Sequence, residues 1–358
     1  MIGGLKRALD RFRGFGDFAL SVPSLDGAFR PNMSIEEAAV LTQIDRPDNL
    51  ALAGGQIYAS SGGRLLRLEA SGPVLLEDGA PITAIAGDAT GQLAVARSGQ
   101  AVSLRNDKGP TTTISALAGK GDATALAFRR DGSLVVAVGV EGKPRDQWRR
   151  DLLSRGRNGV LWQADANGQV RRLASGLAYP YGVVEAPNGD IILSLSWASA
   201  VARLDAAGRL TPVLENLPGY PARLISAAGG GFWLAVFAPR NQLFEFVLNE
   251  ELYRKRMMAE IEPEFWICPN LEQRDGPLDV MQDGAQKIGG EMKPWAPTFS
   301  SGLIVRLDAD LLPLFSHHSR ANGRRHGITS LVEKGGELLA SSWGGQVIFT
   351  LPTTEVRA

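Results

Sequence analysis

An all-β fold, a six-bladed β-propeller, is predicted by two observations: one four-strand unit recurs along the chain, and its hairpin turns carry glycine at matching points. Gly91, Gly132, Gly189 and Gly230 lie about forty residues apart, except where an insertion lengthens the third repeat. The unit is plainest in residues 176–241, which hold two near-copies. Each copy has a proline-led start (Tyr179-Pro180-Tyr181-Gly182, then Gly219-Tyr220-Pro221-Ala222) and an apolar strand. A turn (Asn188-Gly189-Asp190, then Gly229-Gly230-Gly231) and a second apolar strand follow. Short apolar runs broken by Asn-Gly and Gly-Gly are strong signals for antiparallel hairpins.

Two domains of the chain follow in order. Residues 1–43 read as an N-terminal helix and linker, with Leu5, Leu9 and Phe12 on one helical face. That face either docks on the body or makes a weak membrane-surface contact. Ser34 is placed to cap a helical turn at 35–39, with Glu37 in the capping-box position. Residues 44–358 form the propeller: repeats at 44–77, 81–114, 122–174, the pair in 176–241, and a sixth at 328–351. The outer strand of the sixth is short, so an N-terminal segment is expected to close the ring. The third repeat is interrupted by VEGKPRDQWRRDLLSRGRN, and residues 242–300 place a helix and a loop inside blade five as a lid.

Composition narrows the function. The 358 residues include 38 basic and 38 acidic side chains, a balance that offers no field for nucleic acid. Cys268 is the only cysteine, which excludes an internal disulfide and a cysteine-based zinc site. No run of about twenty apolar residues exists to cross a membrane. The N-terminus lacks a continuous apolar core and does not read as a secretory signal, so a cytoplasmic location is expected. No Gly-x-Ser-x-Gly elbow, P-loop or dinucleotide fingerprint occurs, and no cofactor is expected.

Three segments together resemble the strictosidine synthase-like family: GLAYPYGVVEAPNGD, LENLPGYP, and GGGFWLAVFAPRNQLFEF leading into the lid helix. The closing repeat, ITSLVEKGGELLASSWGGQV, is similar to that family's last blade. The resemblance runs from about Asp45 onward and implies the wider six-bladed group of gluconolactonase, senescence-marker protein and paraoxonase. Hydrolases of that group hold calcium on carboxylate and amide oxygens at the starts of inner strands, where it polarises a lactone carbonyl. By the resemblance, Asp48 and Asp122 stand where blades one and three start. Tyr181 stands where blade four often has Asn, and Ala222-Arg223 where blade five often has Asp-Asn. No catalytic metal is therefore expected. Arg223 is expected in the metal's electrostatic place, paired with Asp48 or Asp122 across the channel. The synthase's proton-handling glutamate aligns near Thr329, which cannot transfer protons as a carboxylate does.

The other site candidates come from side-chain chemistry. His326 precedes an inner strand and is the candidate general base, while His317 and His318 read as a surface loop. Tyr181, Trp197, Tyr220 and Trp343, with Asp48 and Asp122, are candidates for a small-molecule pocket; Trp233 and Trp295 read as aromatics of the blades or the insertion. Arg240-Asn241 is expected to hold the insertion. The resulting expectation is an enzyme acting on a small organic molecule at the channel mouth, of lactone or ester hydrolase type, with His326 and Arg223 catalytic. The alternatives are a non-catalytic binder or scaffold on the same mouth, and a carbon–nitrogen bond-forming synthase.

Overall fold

The computed structural model describes residues 22–106, 111–273, 287–288, 291–292 and 299–355. The N-terminal face at Leu5, Leu9 and Phe12, and Trp295 in the lid loop, lie outside the described residues. Six four-stranded antiparallel sheets form the blades of a propeller, as the repeat predicts. Their innermost strands are Pro47–Ala53, Ile82–Gly87, Ala123–Phe128, Pro180–Glu185, Gly219–Ser226 and Ile328–Lys334. Ala39–Gln43 pairs with Val347–Pro352 and supplies the outermost strand of blade six, so both ends of the chain close one blade. Closure of this kind leaves no open edge between the first blade and the last.

Inner strands crowd together near the axis, and small residues make that crowding feasible. Ala51, Ala84, Ala125 and Ala222 are buried there. A β-carbon on Gly182 would lie 2.6 Å from the Ala222 carbonyl oxygen and 2.8 Å from the Arg223 Cα, so blades four and five approach this closely only with glycine. Bulkier leucine, valine and isoleucine fill the spaces between blades in separate apolar clusters.

Both departures from the repeat occupy the same connection. The first strand of each blade leaves one end of the channel and the second returns to it. Every loop between second and third strands therefore lies at that end. The blade-three insertion sits there with a short helix, Trp148–Leu153. The blade-five insertion sits there too, with helices Gln242–Asn249 and Glu251–Glu260 between strands Phe232–Pro239 and Leu303–Leu307. Asn241 caps the first of these, its side chain accepting from the Phe244 N–H at 2.8 Å. Phe244, Val247 and Met257 bury their side chains in one cluster with Tyr220 and Phe237 of blade five.

The capping role expected of Ser34 is not taken. The helix is Ser34–Glu37, and the Ser34 hydroxyl bonds Asn32 Oδ1 at 2.7 Å and His317 Nδ1 at 2.9 Å. His317 and His318 are not in a surface loop but end the outer strand Pro313–His318, buried under that N-terminal segment. Burial alone pushes the His317 imidazole down to about 4, and burial with the neighbouring His317 does the same to His318.

A chain begun at Ile44 loses the closing strand and the fully buried Ile35. Its thermal midpoint is expected to fall by about 5 °C or more relative to a chain begun at residue 22, with self-association in size-exclusion chromatography. Equal midpoints and a clean monomer peak for both would show that the closure is dispensable.

Candidate functional site

The same irregularity opens every inner strand. The ladder register shifts between Pro47 and Asn49, Ile82 and Ala84, Ala123 and Ala125, Pro180 and Gly182, Pro221 and Leu224, and Ile328 and Ser330. A bulge leaves its extra residue unpaired and re-aims it. The residues so released are Asp48, Thr83, Thr124, Tyr181, Ala222 with Arg223, and Thr329, a ring with one contribution from each blade. Four of their carbonyl oxygens, those of Asp48, Thr83, Thr124 and Thr329, all accept from one side chain.

That side chain is Arg223, buried on the channel axis. Its Nε donates to the Thr124 carbonyl at 3.1 Å, and Nη2 to the Thr83 carbonyl at 2.9 Å. Its Nη1 is shared among the Asp48 carbonyl at 3.0 Å, Asp48 Oδ1 at 3.1 Å and the Thr329 carbonyl at 3.3 Å. One guanidinium from blade five thus satisfies acceptors of blades one, two, three and six. Thr329, at the place of the synthase glutamate, donates its hydroxyl to the Asp48 carbonyl at 2.7 Å.

Asp48 is the acid on which Arg223 closes, and a second arginine grips it from the mouth side. Arg145, from the blade-three insertion, binds both Asp48 oxygens in a fork, donates to the Thr83 carbonyl at 3.1 Å and reaches the Tyr181 hydroxyl. Burial would raise the Asp48 carboxyl; the charges of Arg145 and Arg223 override it and hold the group well below the usual carboxylate range. Asp122 does not pair with Arg223. Its carboxylate accepts from the Ser98 hydroxyl at 2.6 Å and from the Gly99 and Arg145 backbone N–H groups at 2.9 Å each, which fixes the loop that presents Arg145.

Above the pair lies a mouth cavity of about 490 Å³. Asp48, Asp122, Tyr181, Trp197 and Trp343 of the sequence-derived candidates line it, together with Arg145, Trp148, Arg149, Tyr179 and Phe237. Its wall is an aromatic stack. Trp197 lies on Tyr179 with ring centroids 4.2 Å apart, and its indole N–H donates to Asp151 Oδ2 at 2.8 Å. Trp148 meets Phe237 edge-on at 5.8 Å. Tyr179 takes a left-handed backbone with φ 56°, a conformation costing of order 1–3 kcal/mol for a bulky residue. Gly139 admits its ring, since a β-carbon there would sit 2.4 Å from the Tyr179 Cε2. Tyr220 is directed elsewhere. Its hydroxyl donates to Glu245 at 3.1 Å, beside the Arg240–Glu245 ion pair, and it lines a separate cavity under the lid helix.

His326 does not reach the mouth. The ring is fully buried, Nδ1 is 2.7 Å from the Ser300 hydroxyl and Nε2 is 2.8 Å from the Arg320 carbonyl. With both nitrogens engaged it has none left for a substrate. Trp233 also lies away from the mouth, its indole N–H donating to Glu333 at 2.9 Å. Arg145, Trp148 and Arg149 were missed because they sit in an insertion that breaks the repeat. The signal was present: an insertion between second and third strands must land on the mouth face, and this one carries Arg-Asp-Gln-Trp-Arg-Arg.

The donor set does not fit the hard divalent cation of the wider group. Of the ring residues only Asp48 carries a carboxylate, two arginines already saturate it, and the axial carbonyls are taken by Arg223. Among the described residues no cluster of three His, Cys, Asp or Glu side chains offers another site.

These features define a six-bladed propeller whose mouth is built around an arginine–carboxylate pair. Solved structures of similar architecture include a gluconolactonase from Xanthomonas campestris (TM-score 0.53, 14% identity, 89% of this chain and 88% of that one). Regucalcin, a calcium-binding protein from Agrobacterium tumefaciens, has a TM-score of 0.56 at 13% identity over 88% and 92% of the two chains. Luciferin-regenerating enzyme has 0.56 at 12% over 87% and 94%. No protein-family profile matches. The sequence is similar to adipocyte plasma membrane-associated protein from Rattus norvegicus (24% over 303 residues, 74% of this chain, 79% of that protein). The match to the Gallus gallus protein is 28% identical but spans only 33% of this chain and 31% of that relative. Protein STRICTOSIDINE SYNTHASE-LIKE 2 of Arabidopsis thaliana is 26% identical over 108 residues, covering 27% of this chain and 29% of that one. The strictosidine synthase-like relative agrees with the resemblance carried by the Pro-Gly-Tyr-Pro and Pro-Arg-Asn elements.

Removing Arg223 leaves Asp48 and four carbonyls short of a donor, so Arg223→Met is expected to cost about 3–5 kcal/mol in urea unfolding. Arg223→Lys is expected to recover less than half of that, because a compact ammonium cannot reach all the acceptors that the guanidinium holds. A loss below about 1 kcal/mol for Arg223→Met, no more than a neutral hydrogen bond, would contradict the hub role. The folded Asp48 pKa is depressed, so its stabilisation is complete above the unfolded carboxylate value of about 3.9 and is lost as pH falls towards the folded value. Asp48→Asn is therefore expected to flatten the acid limb of the stability profile below about pH 4.

Proposed function

We propose that this chain binds a small organic molecule in the mouth cavity and does so without a divalent ion. The observation that carries this is Arg223, whose guanidinium takes the axial carbonyls and the Asp48 carboxylate that a cation would require. The aromatic wall supplies apolar contact, and Arg145 with the Tyr181 hydroxyl supplies polar recognition. This is the usual division of labour in a ligand pocket.

Hydrolysis of a lactone or ester is the second reading, and one contact favours it. The Tyr181 hydroxyl accepts from Arg145, which leaves its own proton free to donate to a ligand carbonyl. A preset donor of this kind beside a guanidinium is the type of group that stabilises a developing oxyanion. Burial raises the Tyr181 pKa, so the phenol stays protonated across the physiological range. Names among the structural neighbours, gluconolactonase above all, agree with this chemistry class. His326, fixed at both nitrogens, is not proposed as its base. The synthase reading has the least support, since Thr329 is committed to a backbone carbonyl.

Among the described residues no helix is long and apolar enough to cross a membrane, while two relatives carry the words plasma membrane in their names. Fractionation of the tagged chain between cytosol and membrane pellet tests the cytoplasmic expectation.

Treatment with EDTA is expected to leave both ligand affinity and the thermal midpoint unchanged. Trp197→Ala is expected to weaken binding by about tenfold, the equivalent of one aromatic contact. Turnover that survives EDTA but is lost in Tyr181→Phe supports the hydrolase reading. Saturable binding without turnover across lactones and esters supports the binder alone. Stoichiometric calcium that EDTA strips with loss of binding would overturn the proposal.

A further inference from the structure

We infer that the mouth cavity selects small organic anions, carboxylates on an aromatic or similarly flat apolar body, over amines. The inference rests on the reading of that cavity as a small-molecule site and names the charge class of its ligand. A box of aromatic rings ordinarily suits a cation, which sits over a ring face. Here the protein's own cations hold those faces. The guanidinium carbons of Arg145 and Arg223 lie 5.2 and 5.1 Å from the Tyr181 ring centre, and Arg149 lies 5.1 Å from that of Trp148. A ligand ammonium entering this space meets like charge at close range.

Among the described residues, the acids that line this cavity are also committed. Asp48 is gripped by two guanidiniums. Asp122 accepts from Ser98, Gly99 and the Arg145 backbone, and Glu272 lies 3.8 Å from Arg46. Asp146 is exposed on the rim and accepts weakly from Gln147 at 3.4 Å. Among the described residues inside the rim, the guanidiniums of Arg145, Arg223 and Arg149 stand against the two carboxylates of Asp48 and Asp122, so positive charge is in excess there. Buried excess charge is costly, and a ligand carboxylate relieves it. The Arg145 fork is already spent on Asp48, so the ligand carboxylate is received by the charge of the guanidiniums and by the Tyr181 hydroxyl proton rather than by a bidentate pair.

The test compares three ligands on one ring system: naphthoate, naphthamide and naphthylmethylamine, titrated calorimetrically into the full chain at neutral pH and moderate salt. Naphthoate is expected to bind at least about tenfold more tightly than the amide, with the amine weakest. Arg145→Gln is expected to erase the preference of acid over amide, while Arg145→Lys retains part of it. Binding of the amide or amine equal to or tighter than naphthoate overturns the anion inference but leaves the small-molecule site standing. Binding of none of the three up to millimolar concentration overturns both. The comparison in the unsubstituted chain stands alone should Arg145→Gln fail to fold.

Discussion

A single guanidinium on the channel axis is the constraint from which the rest of this structure follows. Six β-bulges turn residues of every blade toward the axis, and four of the carbonyls there accept from the same guanidinium. Left unpaired in a buried channel, each would cost about 1–3 kcal/mol. Something with several positive donors must stand there. A divalent ion is one solution; Arg223 is another, and it is tied covalently to blade five. The choice has a consequence: a tethered cation cannot be exchanged, and its donors are spent on the scaffold rather than on a substrate. Chemistry at the mouth then passes to whatever stands above it.

What stands above is Arg145, and it arrives on the blade-three insertion. Asp48 links the two arginines, binding Arg223 with one oxygen and Arg145 with both. Asp122 fixes the Arg145 loop through backbone donors, and Asp151 fixes Trp197 through its indole. The carboxylates therefore act as positioning groups, and the arginines and aromatic rings line the mouth cavity. This reverses the arrangement in a calcium-dependent lactonase site, where carboxylates hold the cation that meets the substrate.

Much of the fold was legible because its signals are local and repeated. Glycine-centred hairpins at a near-constant period specify blades, and the short sixth repeat pointed to closure by the N-terminal segment, which Ala39–Gln43 provides. Arg223 near Asp48 was readable from the residues that replace the expected ligands. Its choice of Asp48 over Asp122 was not, since that depends on which bulge faces the axis. His326 failed as a base for a related reason. Sequence placed it before an inner strand, but the Ser300 hydroxyl and the Arg320 carbonyl, from two separate segments, use both ring nitrogens. His317 and His318 looked like a polar loop because the segment that buries them, residues 28–34, is nearly three hundred positions away in the chain. Arg145 and Trp148 carried no repeat signature at all; only the topology of the insertion point could have located them.

The central claim is that a guanidinium, not a divalent ion, occupies the axis of this propeller. Its most direct test is a long-wavelength anomalous diffraction map from crystals grown in calcium. The account predicts planar density for Arg223 within hydrogen-bond distance of the Thr83, Thr124 and Asp48 carbonyl oxygens, with no anomalous peak beside the Asp48 carboxylate. An anomalous peak coordinated by Asp48, with Arg223 displaced from the axis, would contradict it.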